Sequence, residues 1–197
     1  MLDVAKPYEV SFQFAIDSLG TFQESATNYL FFAQGSSSSS FNPTSSTNWF
    51  IAGFGGTDTS LKVGTSNELA TAGQAQWNIL ATPLSGGTAT YLPTGISLRE
   101  GVLYSFKITL DPENKRYSVF VSDGTTDFQS DVLAYHRNAA LQQTLIFGET
   151  YHAGQGAEFS IGNISVIPEP SFALLLGAGA AGVGLFAIRG LPWAGRH

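Results

Sequence analysis

Tyr8-Glu9-Val10-Ser11-Phe12-Gln13-Phe14-Ala15-Ile16-Asp17 alternates large apolar residues with small or polar ones without a break. Successive side chains of a strand point to opposite faces. This period of two therefore sets Tyr8, Val10, Phe12, Phe14 and Ile16 on one face, with Glu9, Ser11, Gln13, Ala15 and Asp17 on the other. Burial of each large side chain is worth about 1.5–3 kcal/mol. A slip of one residue would turn all of them to water, so the register is strongly specified. The stretch calls for a sheet with one face against a core.

The same reasoning extends along the chain. Tyr104, Phe106, Ile108 and Leu110 alternate, Asp111-Pro112-Glu113-Asn114-Lys115 makes a turn, and Tyr117, Val119 and Val121 return, which predicts a hairpin over 102–122. Later, Phe159 and Ile161 keep one phase and Ile164 and Val166 the other, with Gly162-Asn163 as a bulge or tight kink between them. Shorter strands are expected at 29–34, 49–54, 60–63, 76–80, 95–98, 132–135 and 143–147. Turn residues at 53–56, 83–87 and 122–124 separate them. No segment before Phe172 sustains a 3.6-residue apolar period, and at most 131–143 holds a short helix. Residues 36–40 are a low-complexity serine loop. About ten to fourteen short strands in one unit indicate an all-β jelly-roll sandwich over residues 1–166. Two smaller sandwiches remain the other division of the same strands.

Composition agrees. The chain has 197 residues, 12% of them charged, and 22 glycines, a profile that suits an exported all-β module better than a helical cytosolic enzyme. Net charge is −6 with only nine Lys plus Arg, so no basic stripe exists to neutralise phosphates and a nucleic-acid partner is excluded. The absence of cysteine removes disulfides, thiolate metal sites and a cysteine nucleophile.

The other strong signal is the tail, residues 167–197. From 171 to 188 no residue is charged. As a helix rising about 1.5 Å per residue, this length crosses most of a ~30 Å hydrocarbon core. Pro168 and Pro170, which lack a backbone N–H, should end the preceding strand. Arg189 and Arg196 on the far side place the C-terminus in the cytoplasm and residues 1–170 outside. Pro168-Glu169-Pro170, the apolar stretch and Arg189 together resemble the PEP-CTERM sorting signal of Gram-negative bacteria, over about residues 167–190. That resemblance implies handling by an exosortase-type membrane protease, cutting near the Pro-Glu-Pro element, and release to the outer envelope, cell surface or extracellular matrix. Such proteins accompany exopolysaccharide production, so exopolysaccharide is an expected partner. Two departures are visible. Arg189 stands apart from Arg196 where the family has an arginine cluster, and residues 1–7 carry neither a basic start nor an apolar leader core. A start further upstream is the favoured account, because Tyr8 opens a strand almost at once; a removed leader is the other. A genuine start would instead make a tail-anchored chain with its body in the cytoplasm.

The strong first strand, the Tyr104–Val121 hairpin and the closing Phe159-Ser160-Ile161-Gly162-Asn163-Ile164-Ser165-Val166 look like the concanavalin A-like lectin and laminin-G type of jelly roll. The resemblance implies that first and last strands pair.

Candidate chemistry is sparse. Retaining glycosidases need two carboxylates about 5–5.5 Å apart. The close acidic pair is Asp111 and Glu113, in a turn, which reads as solvated. Asp123, Asp127 and Asp131 are candidate calcium ligands on a polar loop, since calcium takes six to eight oxygens, several from carboxylates. Asp58 and Asn67 are weaker candidates. His136, Glu149 and His152 would make a two-His-one-carboxylate site only if their loops converged. Gly53-Phe54-Gly55-Gly56 lacks the helix that phosphate binding needs. Trp49 and Trp77 are the candidate stacking platforms for a sugar, Trp more commonly being core. The expectation is thus an exported, non-catalytic structural or adhesive sandwich. The alternatives are a calcium-assisted lectin-like carbohydrate binder and, behind it, a polysaccharide hydrolase.

Overall fold

The computed structural model of the chain describes residues 5–25, 27–35, 47–56, 75–137, 145–150, 154 and 156–168. Its strands are β1 (Tyr8–Ser18), β2 (Tyr29–Gly35), β3 (Thr47–Phe54), β4 (Gln76–Ala81), β5 (Thr90–Ser97), β6 (Leu103–Asp111), β7 (Arg116–Ser122), β8 (Asp127–Gln129), β9 (Leu133–Ala134), β10 (Leu145–Thr150) and β11 (Glu158–Pro168). They make two antiparallel sheets. The first runs β11-β1-β6-β7-β8 with β9 also on β7, and the second runs β10-β2-β3-β4-β5. One core fills the space between them, so a single sandwich, rather than two small ones, accounts for the described strands.

The opening stretch does what its alternation demands. Tyr8, Val10, Phe12, Phe14 and Ile16 are all buried between the sheets. β1 pairs with β6, Phe12 opposite Phe106, and with β11, Tyr8 opposite Pro168 and Ile16 opposite Phe159. First and last strands are therefore neighbours. The expected kink is a register shift: Ser11 pairs with Ser165 but Gln13 with Gly162, and Asn163 has φ +51°. β11 runs through Pro168, which pairs with Tyr8, and the residues beyond it lie outside those described.

The second sheet is apolar on both sides, which explains the unbroken run Tyr29-Leu30-Phe31-Phe32-Ala33. Leu30, Phe32, Trp49, Ile51, Trp77 and Ile79 face the main core. Phe31, Phe50, Phe54, Leu80 and Tyr91 form a separate buried cluster on the opposite face. Strands buried on both faces read as continuous hydrophobic runs. Two glycines are set by close approach. A Cβ on Gly148 would lie 2.6 Å from the Phe31 ring, and one on Gly55 would lie 2.5 Å from the Phe22 carbonyl oxygen. Gly55 thus belongs to the packing of the 3-10 turn Phe22–Glu24 against the end of β3.

Some expectations change. β5 starts at Thr90, earlier than 95, because Pro93 and Gly95 read as breakers. As an edge strand β5 tolerates a proline that a central strand would not. β8 is only three residues long and went unread. Within the region considered for a helix, the described part is β9 and bends. The expected strand at 60–63 lies outside the described residues, as do the span at about 171–188 and Glu169, Pro170 and Arg189 of the sorting motif. No helix among the described residues is long and apolar enough to cross a membrane.

Candidate functional site

The residues singled out for chemistry are not brought together. Trp49 and Trp77 are both 0% exposed, so neither offers a ring to a sugar; that expectation is corrected. Trp77 stacks 5.2 Å from Phe32 and meets Phe14, Tyr104 and Phe106 edge-on, which occupies the ring with core contacts. Trp49 donates its Nε1–H to Gln34 Oε1 at 3.0 Å, and Gln34 Nε2 donates to the Tyr8 hydroxyl at 2.7 Å.

The three aspartates proposed for calcium do not converge. Asp123 accepts the Thr126 and Thr125 N–H groups at 2.7 and 2.9 Å and pairs with Arg99. Those donors, Thr126 first, then Thr125, with the Arg99 guanidinium, hold its carboxyl below the usual carboxylate range. Asp127 and Asp131 are exposed, Asp127 opposite Ser122 on β8. No group of three or more His, Asp or Glu side chains able to hold a metal occurs among the described residues. Asp111 accepts both the backbone and side-chain N–H of Asn114, which is turn closure and leaves Asp111 and Glu113 without a catalytic arrangement. His136 is buried, its Nδ1 3.3 Å from the Thr82 hydroxyl, while Glu149 accepts the Ala157 N–H; His152, Asp58 and Asn67 lie outside the described residues. Burial pushes the Tyr91, Tyr117 and Tyr135 hydroxyls up, so they stay protonated.

What the fold does assemble is the outer face of the first sheet. Because β1, β6 and β7 each bury one phase, the other phase forms a continuous surface. Cross-strand pairing sets Ser11 beside Lys107 and Lys107 beside Phe120, with Gln13 beside Ser105 and Ser105 beside Ser122. Asn163 Nδ2 donates a hydrogen bond to Gln13 Oε1, and Lys107 Nζ lies 3.5 Å from Glu9 Oε2. Ser11, Gln13, Ser105, Lys107, Phe120 and Asn163 line a depression of about 260 Å³. Further along the strands a second, of about 240 Å³, is lined by Thr109, Asp111, Arg116, Ser118 and Val132. Both are smaller than a small-molecule cleft of about 300–1,000 Å³ and open to solvent, a shape suited to a chain lying across the sheet. Phe120 is the aromatic ring on this face among the described residues, partly exposed and ringed by hydroxyl, amide and ammonium groups. Sequence reading passed over it, although the signal was present: in Tyr117-Ser118-Val119-Phe120-Val121 it is the one large apolar residue in the polar phase.

No protein-family model and no curated protein matches the sequence. Among solved structures the chain is similar to an alginate lyase from Pseudomonas aeruginosa (TM-score 0.48, 10% identity, 84% of this chain and 66% of that one). It is also similar to the catalytic domain of a glycoside hydrolase family 131 protein from Coprinopsis cinerea (TM-score 0.48, 11% identity, 85% and 59%). A third is a polysaccharide lyase of family 18 (TM-score 0.46, 12% identity, 85% and 74%). The chain thus spans less than two thirds of the length of the first two. Such a likeness transfers no residue and no reaction. The expectation of a non-catalytic structural or adhesive module, with its lectin-like alternative, is nevertheless corrected against these findings, since the similar structures are lyases and a hydrolase domain. Its weakness was physical: a missing carboxylate pair excludes one hydrolytic geometry, not catalysis.

Proposed function

We propose that this chain is a polysaccharide-active protein that holds its substrate across the outer face of the first sheet. The observation that carries this is the Phe120 ring, set out of phase on a polar sheet face beside a depression lined by Ser11, Gln13, Ser105, Lys107 and Asn163. A sugar presents an apolar C–H face and a rim of hydroxyls, which matches a ring surrounded by donors and acceptors. Lys107 stands opposite Phe120 and lies 3.5 Å from Glu9, and a cleaving reaction would draw its proton-transfer group from this pair. The test is affinity electrophoresis of the full chain in a panel of polysaccharides, with reducing ends and unsaturated uronates measured in the same incubations. Retardation and product are expected with at least one polymer, and Phe120→Ala should weaken retention about tenfold, equivalent to about 1.4 kcal/mol. Unchanged retention in that variant would place the substrate elsewhere.

Delivery is the second part of the proposal. Pro168-Glu169-Pro170, the uncharged residues 171–188 and Arg189 support handling by an exosortase-type protease, passage through the inner membrane on a C-terminal helix, and release to the envelope or matrix, beside exopolysaccharide.

A further inference from the structure

We infer that the polymer taken by this face is uncharged, a neutral hydroxyl-rich polysaccharide and not a polyuronate. The inference rests on the reading of the outer face as the substrate surface and adds its chemical class. Among the described residues, Glu9, Asp17, Asp111 and Asp127 project to this face from β1, β6 and β8, against Lys107 and Arg116. Lys107 lies 3.5 Å from Glu9, and Arg116 stands opposite Asp111 in the strand register. Glu158 on the edge strand adds to the negative side. The first four carboxylates lie on three strands at different heights, so a chain lying across the sheet passes several of them in turn. A polyuronate, with one carboxylate per sugar, would meet an excess of like charge across this face. The remaining groups are neutral donors and acceptors: Ser11, Gln13, Ser105, Thr109, Ser118 and Asn163. They match sugar hydroxyls and supply no charge.

The test measures the full chain, held in mild detergent, against a neutral glucan and against alginate of matched length, at low and high salt. The glucan should bind at least about tenfold more tightly than alginate, with an affinity that salt leaves unchanged, because no ion pair forms across the interface. The paired variant Asp17→Asn with Asp127→Asn should raise alginate binding about threefold or more while the glucan still binds, since it removes repulsion. Tighter alginate binding by the parent chain, weakening with salt, would overturn the choice of class while leaving the face itself in place. Binding of both polymers unaffected by Phe120→Ala would instead remove the face, and this inference with it.

Discussion

Phe32 shows how one side chain can organise a core. Its ring centre lies 4.9–5.6 Å from those of Phe12, Phe14, Trp77, Phe106 and Phe147, which belong to both sheets. Phe32→Ala should cost about 3–5 kcal/mol, read as a lower urea midpoint at unchanged slope. Gln34 is a polar counterpart, bridging Tyr8 and Trp49 in the buried interior. Gln34→Leu leaves the Trp49 N–H unpaired and should cost about 1–3 kcal/mol in the same measurement. Asp123 links stability to pH. A carboxyl whose folded pKa is depressed stabilises the fold fully above its unfolded value, near about 4, and loses that contribution as pH falls through the lower folded value. The melting temperatures of the parent and Asp123→Asn should therefore differ at about pH 6 and converge once the pH has fallen below the lowered folded value. At this scale the sequence identified which residues are apolar but not which rings face water. Trp49 and Trp77 looked like platforms by residue type, whereas Phe120 was marked by its phase.

The elements were legible where a strand buries one face. β1, β6 and β7 match their alternation because the period of two and the burial coincide. β5 was half-read because proline and glycine lie in an edge strand, and β8 because three residues hold too little pattern. In β10, Gly148 lies under the Phe31 ring, so Gly148→Ala should cost about 1–3 kcal/mol through overpacking. Phe31→Leu added to it should recover part of that loss, as a double-mutant cycle would show. β11 closes the sheet: Phe159 lies 5.2 Å from Phe14, and without β11 the long strand β1 becomes an open edge. A chain cut after Gly156 should aggregate or bind an apolar dye, while one cut after Pro168 should melt like the full chain. Equal behaviour of the two would mean β11 contributes nothing to the fold.

At the scale of the whole molecule, one core shared by two sheets predicts a single cooperative unfolding transition, and two resolved transitions would contradict the single sandwich. Pairing of residues more than a hundred positions apart, as in β1 with β11, predicts folding in milliseconds to seconds. For the tail, expression of the full gene product in a host with an exosortase should yield a species ending near residues 168–171 outside the inner membrane. An uncut chain retained there would show that the separation of Arg189 from Arg196 matters. The amino-acid sequence by itself determined the all-β class, the main hairpin and the kink at Gly162-Asn163, because these follow from side-chain period and backbone chemistry within a few residues. Only the tertiary structure decided that both tryptophans are core, that the aspartates stay apart, and that Phe120 meets Lys107, Ser11, Gln13 and Asn163 on one face. Those relations join strands distant in the chain, and their register is set by packing across the sheets, which no local pattern encodes.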